Sequence, residues 1–320
     1  AEAEAAVAVG ESALTRFANS FIHQNVGNAH QDVGLRVAVD GRVASGSVDR
    51  ADEDGLRALV ESTLEVAGVM PVDDGWPGLA VPAAAPDVEH WDDATAEVTP
   101  DERAAIVAAF VAAGPDYDVA GYCETSAGTT AFANSAGQRL SGRSTRATVD
   151  GIHRSTESAG SAHQTSARIG ELDGAAAGVQ AADRATRGLG AFDITPGEYE
   201  VVLAPEAVAT MTIFLAYYGF NAKQVIEEQS FVELGVQQFD EALSISDDPL
   251  VGADALGVPF DVEGTPSARI DLVVGGVTAG ISHDRRTAAR MGTDSTGHAY
   301  PGSALWGPVG ESMIVAAGSD

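Results

Sequence analysis

The residues after Ala1 read EAEAAVAV, a period-two alternation that marks a strand buried on one face only. A chain that opens this way is committed to a sheet, and the next forty residues extend it. Leu14 to Val26 reads as a second strand and Gly34 to Val39 as a third. Asp40-Gly41 is a hairpin turn, and Arg42 to Ser47 pairs back across it. Asp52 then caps a helix from about Glu53 to Ala67. Its apolar Leu56, Val60 and Leu64 recur every four residues and share one face, and Gly68 ends it.

Breaks follow. Pro71, Pro77, Pro82 and Pro86 lie in an acidic stretch that reads as a surface connector. Thr99-Pro100-Asp101-Glu102 is a capping box with proline at the first helical position. It opens a helix through Ile106 to Ala113, which Gly114-Pro115 stops. RFANS at 16–20 and AFANS at 131–135 each follow a strand-like run and lead to Gln24 and Gln138. Two related strand–turn–strand units and a coincidence both account for that echo. Ser141 to Ser166 reads as long polar strands, and Ala175 to Arg187 as a helix of small residues ended by Gly188 and Gly190. From Pro196 a second unit begins. Tyr199 to Leu203 reads as a strand, and Pro205 opens a strongly apolar helix, Glu206 to Tyr218. Strand-rich sequence follows, with turns at Asp247-Asp248-Pro249, Gly264 and Gly275-Gly276.

The 320 residues are 45% hydrophobic and 20% charged, enough for two globular units with a sizeable core. Cys123, the single cysteine, has no partner for an internal bridge, so a reducing cytoplasm is the expected compartment. It reads as a small strand residue between Tyr122 and Glu124 rather than as a nucleophile. Net charge is −29, from 47 acids against 18 bases, and Lys223 is the single lysine. A field of that sign repels nucleic-acid phosphates and anionic lipid, so direct nucleic-acid binding is disfavoured. No run of 18 apolar residues could span a membrane.

The most distinctive stretch is Phe260 to Tyr300, where FDVEGTP and ISHDRRTAARMGTDSTGHA flank an alternating apolar strand. With SFVELGVQQFDEALSISDDPL upstream, and RFANSFIHQ and GRVASGSVD near the start, it resembles the TldD/PmbA family, also called modulators of DNA gyrase. The resemblance implies an α+β chain: an N-terminal α/β domain, residues 1–195, then a β-rich, barrel-like C-terminal domain, residues 196–320, with one buried helix. It also implies further residues before Ala1 and after Asp320.

Active members of that family are zinc peptidases. In them a strand is followed by a helix carrying HExxxH, whose histidines bind zinc and whose glutamate is general base. Placed on Val201-Val202-Leu203 and Gly219, those three positions are Ile213, Phe214 and Tyr218, and none offers a zinc ligand of the required kind. No histidine lies between His163 and His283. The resemblance is therefore to the metal-free TldE/PmbA type, with no catalytic residue, metal or cofactor of its own. It implies pairing, as a homodimer or with a metal-bearing TldD-type chain, and unfolded peptide as substrate. Tyr217, Tyr218, His283, Asp284 and His298 are the candidate peptide-contacting or interface residues.

Other readings of the same residues stay open. His283-Asp284 suits a base with its orienting acid, or a turn with Arg285 and Arg286 solvated. His298 could join His283 in a metal site. Asp261 and Glu263 share a strand face suited to a cation, or else close a turn by side-chain hydrogen bonds. A homodimeric peptide-binding protein, and a hydrolase working near His283 and His298, are the rival functions.

Overall fold

The computed structural model describes residues 1–88, 90–251 and 257–318. Six strands come first in space: β1 (Glu2–Ala18), β2 (Phe21–Val39), β3 (Arg42–Val48), β4 (Asp118–Asn134), β5 (Arg139–Arg154) and β6 (Ala159–Ser166). They form one antiparallel sheet in the order β3-β2-β1-β4-β5-β6. Among them run α1 (Glu53–Val69), α2 (Asp93–Ala96) and α3 (Pro100–Ala112), and α4 (Gly174–Arg187) follows. The C-terminal part holds α5 (Pro205–Phe214), α6 (Ala222–Ile226), α7 (Arg285–Met291) and α8 (Ser303–Trp306). It also holds a small antiparallel sheet of β7 (Ile245–Asp247), β8 (Ile270–Val274), β9 (Val277–Thr278) and β10 (Met313–Val315). That sheet runs β10-β7-β8-β9 and is open, so the barrel expected there is not formed by the described residues. Both sheets being antiparallel, the fold is α+β throughout rather than an α/β unit followed by a β unit.

Asp40 and Gly41 both take positive φ, as a two-residue hairpin loop demands. The first hairpin was less legible. β1 does not break near residue 10 but runs for 17 residues, because its turn is Asn19-Ser20. Those two residues also have positive φ, and Ser20 is held there by its N–H donating to Val119 and its hydroxyl to Tyr117. No glycine announces this turn.

Register settles which face is which. Ala3 opposes Val37 and Ala5 opposes Ala133, so odd-numbered residues of β1, β2 and β4 share a face. On that face Val37 and Ala44 pack under Ala67 of α1. Phe17, Cys123, Val149 and Ala162 pack there under Val107 and Phe110 of α3 and Ala177 and Ala181 of α4. The other face carries Ala6, Phe132 and Leu140 against Phe260 of the C-terminal part. Phe17 and Phe132, equivalent in the RFANS/AFANS echo, therefore point to opposite faces. An approximate two-fold through the β1–β4 pair does not relate them.

Two apolar faces are turned differently from the periodicity. In α1 the buried stripe is Gly55, Leu59, Thr63 and Ala67, while Leu56, Val60 and Leu64 are 37–46% exposed. The reason is close approach: a Cβ on Gly46 of β3 would lie 2.7 Å from the Thr63 hydroxyl. Small residues bring the helix onto the sheet, and the larger leucines are left outside. The helix at 205–218, expected to be buried, exposes Met211, Ile213, Phe214 and Tyr218, and buries only Thr212 and Ala216 with the turn glycine Gly219. Residues 199–203 form no strand, and Val202 is 99% exposed. An alternating segment needs a neighbour to pair with, and none of the described residues supplies one.

The connector does more than run over the surface. Trp76 donates to Glu2 (2.6 Å), and Asn134 donates to the Ala80 carbonyl (2.8 Å). Buried Gln138 donates to Ala83 (3.1 Å) and Gly264 (2.9 Å) and accepts from the Ala83 N–H (3.1 Å). One amide thus joins the large sheet, the connector and the FDVEGTP turn. Gly264 has φ 72°, and a Cβ there would lie 2.1 Å from the Phe132 ring. Gly264→Ala is expected to destabilise the protein by more than about 1 kcal/mol. Gly68→Ala, inside α1 with nothing near its added methyl, is expected to stabilise it by about 0.5–1 kcal/mol. Thermal unfolding of the two variants checks both signs.

Candidate functional site

α5 starts with Pro205 at its first turn, and Glu206 there pairs with Arg184 of α4 (2.8 and 3.1 Å). The helix does not stop at Phe214. It passes into a π-helical turn, Leu215–Gly219, closed by the Phe220 N–H on the Leu215 carbonyl (2.7 Å). Such turns widen a helix and re-aim its side chains. Here the result is an aromatic cluster. Phe214 stacks on Tyr218 with centroids 6.2 Å apart and planes 15° apart, and Tyr217 meets Tyr300 edge-on at 6.2 Å. Burial, then the neighbouring Tyr217, pushes the Tyr300 hydroxyl up to about 12, so it stays protonated.

His283 and Asp284 are not a base with its acid. The Asp284 carboxylate caps α7, accepting from the N–H and hydroxyl of Thr287 (both 2.7 Å) in a capping box. His283 is buried with no partner for Nδ1, and burial holds its pKa below the usual range. The following arginines both have partners. Arg285 donates to the Leu79 carbonyl (2.7 Å), and Arg286 makes a two-point pair with Asp73 (3.0 and 2.5 Å). Both tie α7 to the connector.

His298 finds Asp247 instead of His283. Its Nε2 lies 2.6 Å from the carboxylate, with side chains 4% and 0% exposed. Asp247 also accepts the Ser312 N–H (2.7 Å). Thr296 links the two histidines: its hydroxyl donates to the His283 carbonyl (3.1 Å) and lies 3.0 Å from His298 Nδ1. Asp261 closes the FDVEGTP turn, accepting from the N–H groups of Glu263 (3.0 Å), Thr265 (2.9 Å) and Ala299 (3.1 Å). The turn reading of that pair is the one adopted.

A group of carboxylates gathers where this turn meets the large sheet. Glu4 pairs with Arg36 (2.9 Å), which also reaches Glu263 (3.8 Å), and Glu263 accepts the first N–H of α7 (2.9 Å). Burial, with Glu263 adding to it, pushes Glu4 up to about 7 despite Arg36. Burial and Glu263 likewise push Asp261 up to about 7. Cys123 lies near Arg103, yet burial outweighs that cation and raises the thiol to about 11. It stays a protonated core residue.

Ile213, Phe214 and Tyr218 offer no imidazole, thiolate or carboxylate to a metal. Among the described residues no three His, Cys, Asp or Glu side chains converge as a metal would need. The residues present there do not suit a zinc ion. Among the described residues no helix is long and apolar enough to cross a membrane.

Comparison with known proteins gives the class. Residues 196–317 match the PmbA/TldA metallopeptidase C-terminal domain, and residues 3–67 match PmbA/TldA metallopeptidase domain 1. The chain belongs to the PmbA/TldD metallopeptidase family. A metalloprotease of Methanothermobacter thermautotrophicus is 28% identical over 125 residues, which are 38% of this chain and 27% of that protein. An uncharacterized protein of Methanocaldococcus jannaschii is 31% identical over 104 residues, 32% of this chain and 25% of that one. The matched segments thus span about a quarter of each relative. Two solved structures share the fold at 20% identity. A proposed modulator of DNA gyrase from Thermotoga maritima matches with TM-score 0.87, over 100% of this chain and 74% of that one. TldE from Thermococcus kodakarensis matches with TM-score 0.83, over 99% and 75%.

The raised carboxylates carry a sign. The folded state holds their protons more tightly than the unfolded chain does. Their stabilising effect is therefore full below about pH 4 and lost as pH rises through about 7. His283, shifted down, acts oppositely and removes stability as pH falls below about 6.5. Glu4→Gln should raise stability on the order of 1 kcal/mol at pH 8 and give no gain at pH 4. Denaturant unfolding at the two pH values checks this.

Proposed function

We propose that this chain is the metal-free, TldE-like subunit of a TldD-type zinc peptidase that cleaves unstructured peptides. It works as two units, residues 1–195 and 196–320, and supplies chamber wall and peptide-holding surface rather than the reacting groups. One observation carries the reading. Ile213, Phe214 and Tyr218, which we place at the zinc-motif positions, turn outward as an exposed apolar face. Met211 of the same helix is exposed too, as are Tyr199, Val201, Val202 and Leu203 just before it. A surface of this kind supports a subunit contact, since apolar patches of such extent mark interaction sites. The likeness to a TldE structure supports the metal-free type. Tyr217 and Tyr218 are assigned to the contact or to bound peptide. His283, Asp284 and His298 are assigned to shaping it from behind, given their burial.

The test is cleavage of casein or an unfolded peptide by the full-length protein, alone and mixed with a metal-bearing TldD-type chain, with and without chelator. Chelator-sensitive cleavage in the mixture alone is expected. Cleavage by this chain alone would overturn the reading. Phe214→Glu should weaken assembly with the TldD-type chain at least tenfold by light scattering or calorimetry, while leaving the thermal midpoint of the isolated chain within about 2 °C.

A further inference from the structure

β2 is paired along its whole length with β1, but β3 covers its outer edge only from Val33 to Val39. Among the described residues no strand pairs with that edge from Phe21 to Asp32. Every residue from Phe21 to His30 is exposed. Alternate residues of such a strand turn N–H and C=O groups outward, so the edge offers a ladder to an incoming extended segment.

Natural edges are protected by charge, proline or a covering element. From Phe21 to Gln31 this one has none of them, and the exposed Asp32 marks its end. Residues 17–31 read FANSFIHQNVGNAHQ, without one Asp, Glu, Lys, Arg or Pro, in a chain where 47 of 320 residues are acidic. That composition suits an edge meant to be occupied.

Beside the upper end of the edge, on the helix-bearing face of the sheet, lies an open cleft of about 750 Å³. The helices leave it uncovered between α1 and α2. Its floor is two cross-strand rows: Gln31–Val9–Thr129 and Ala29–Glu11–Ala127. Asp49, where β3 turns away, forms one wall. Trp91 forms the other, held by its indole N–H on Asp93 (2.7 Å) and by Arg143 at 4.7 Å from the ring centroid. The ionised groups lining the cleft, Glu11 and Asp49, are both acidic and both exposed.

We propose that the open edge of β2 binds an extended peptide as an added strand, with basic side chains of that peptide directed to Glu11 and Asp49. This rests on the reading of the chain as a peptide-handling subunit and names where the peptide sits and which kind it favours. Main-chain bonding along the edge makes binding tolerant of sequence, and the acidic cleft adds a preference for Lys or Arg. A second copy of this chain is a poorer occupant. Pairing edge to edge, it would bring the same uncharged strand and no Lys or Arg for the cleft.

The test uses the full-length protein and a fluorescein-labelled twelve-residue peptide alternating Lys with Ala or Val. Two further versions carry backbone N-methyl groups on alternate residues, in either register. An added strand requires that one methylated register lose binding and the other keep it. Equal binding of both would overturn the proposal. Hydrogen exchange should show amides of residues 21–32 unprotected on the outward positions in the free protein and protected with peptide. Protection in the free protein would mean the edge is already covered, and would also overturn it. Glu11→Gln with Asp49→Asn should weaken the basic peptide about three- to tenfold and leave an uncharged peptide unchanged. Equal binding of a Glu-alternating peptide would sink the charge preference. Binding is read without cleavage. A null result here leaves the partner-subunit reading standing, and absent cleavage in the mixture leaves the edge site standing.

Discussion

The arrangement depends on a few polar side chains that replace water for backbone groups between the large sheet and the C-terminal part. Gln138 satisfies carbonyls of both the connector and the FDVEGTP turn, and Arg285 and Arg286 hold the same connector from α7. The apolar contact there is small, Phe132 and Leu140 against Phe260. Shape and hydrogen bonding, more than buried area, fix how the two parts meet. That is why Gly264 must be glycine: its backbone lies flat on the Phe132 ring, and the turn it permits presents its carbonyl to Gln138.

The legible parts of the fold were those decided within a few residues. Asp40-Gly41, the Thr99 capping box and the Asp52 cap all act over one turn, and each stands as read. Asn19-Ser20 was missed because its positive φ values are held by strand β4, a hundred residues away. In α1 periodicity groups Leu56, Val60 and Leu64 on one face without saying which face is covered, and contact with Gly46 selected the small-residue one. The exposure of α5 has a related cause. Periodicity reports which residues are apolar, and says nothing of whether their cover lies in the same chain.

At the candidate site the same division holds. The lack of histidine between His163 and His283 is a matter of identity, so it could be read directly. The partners of His298 and of the two arginines could not: Asp247 is 51 residues from His298, and Asp73 is 213 from Arg286. The HDRR phrase is better explained by this than by chemistry. Its aspartate starts a helix, and its arginines neutralise and cap the connector. The group around Glu4 and Arg36 left no signal at all, since alternating Glu in a strand reads as its wet face.

Charge distribution connects these observations. With a net charge of −29, the chain repels itself and other anions, and its surface is predominantly acidic in composition. Two exposed regions depart from that rule. One is the face of α5 and its π-helical turn formed by Met211, Ile213, Phe214 and Tyr218, and the other is the β2 edge from Phe21 to Gln31. An acidic background makes uncharged regions stand out, because a single added carboxylate at either would suppress unwanted pairing at little cost to the fold. Their neutrality therefore points to occupancy. The two differ in what they offer: α5 presents side chains, which select a partner of matching shape, whereas the β2 edge presents backbone, which accepts many sequences. A subunit that must hold one fixed partner and many different peptides needs one surface of each kind.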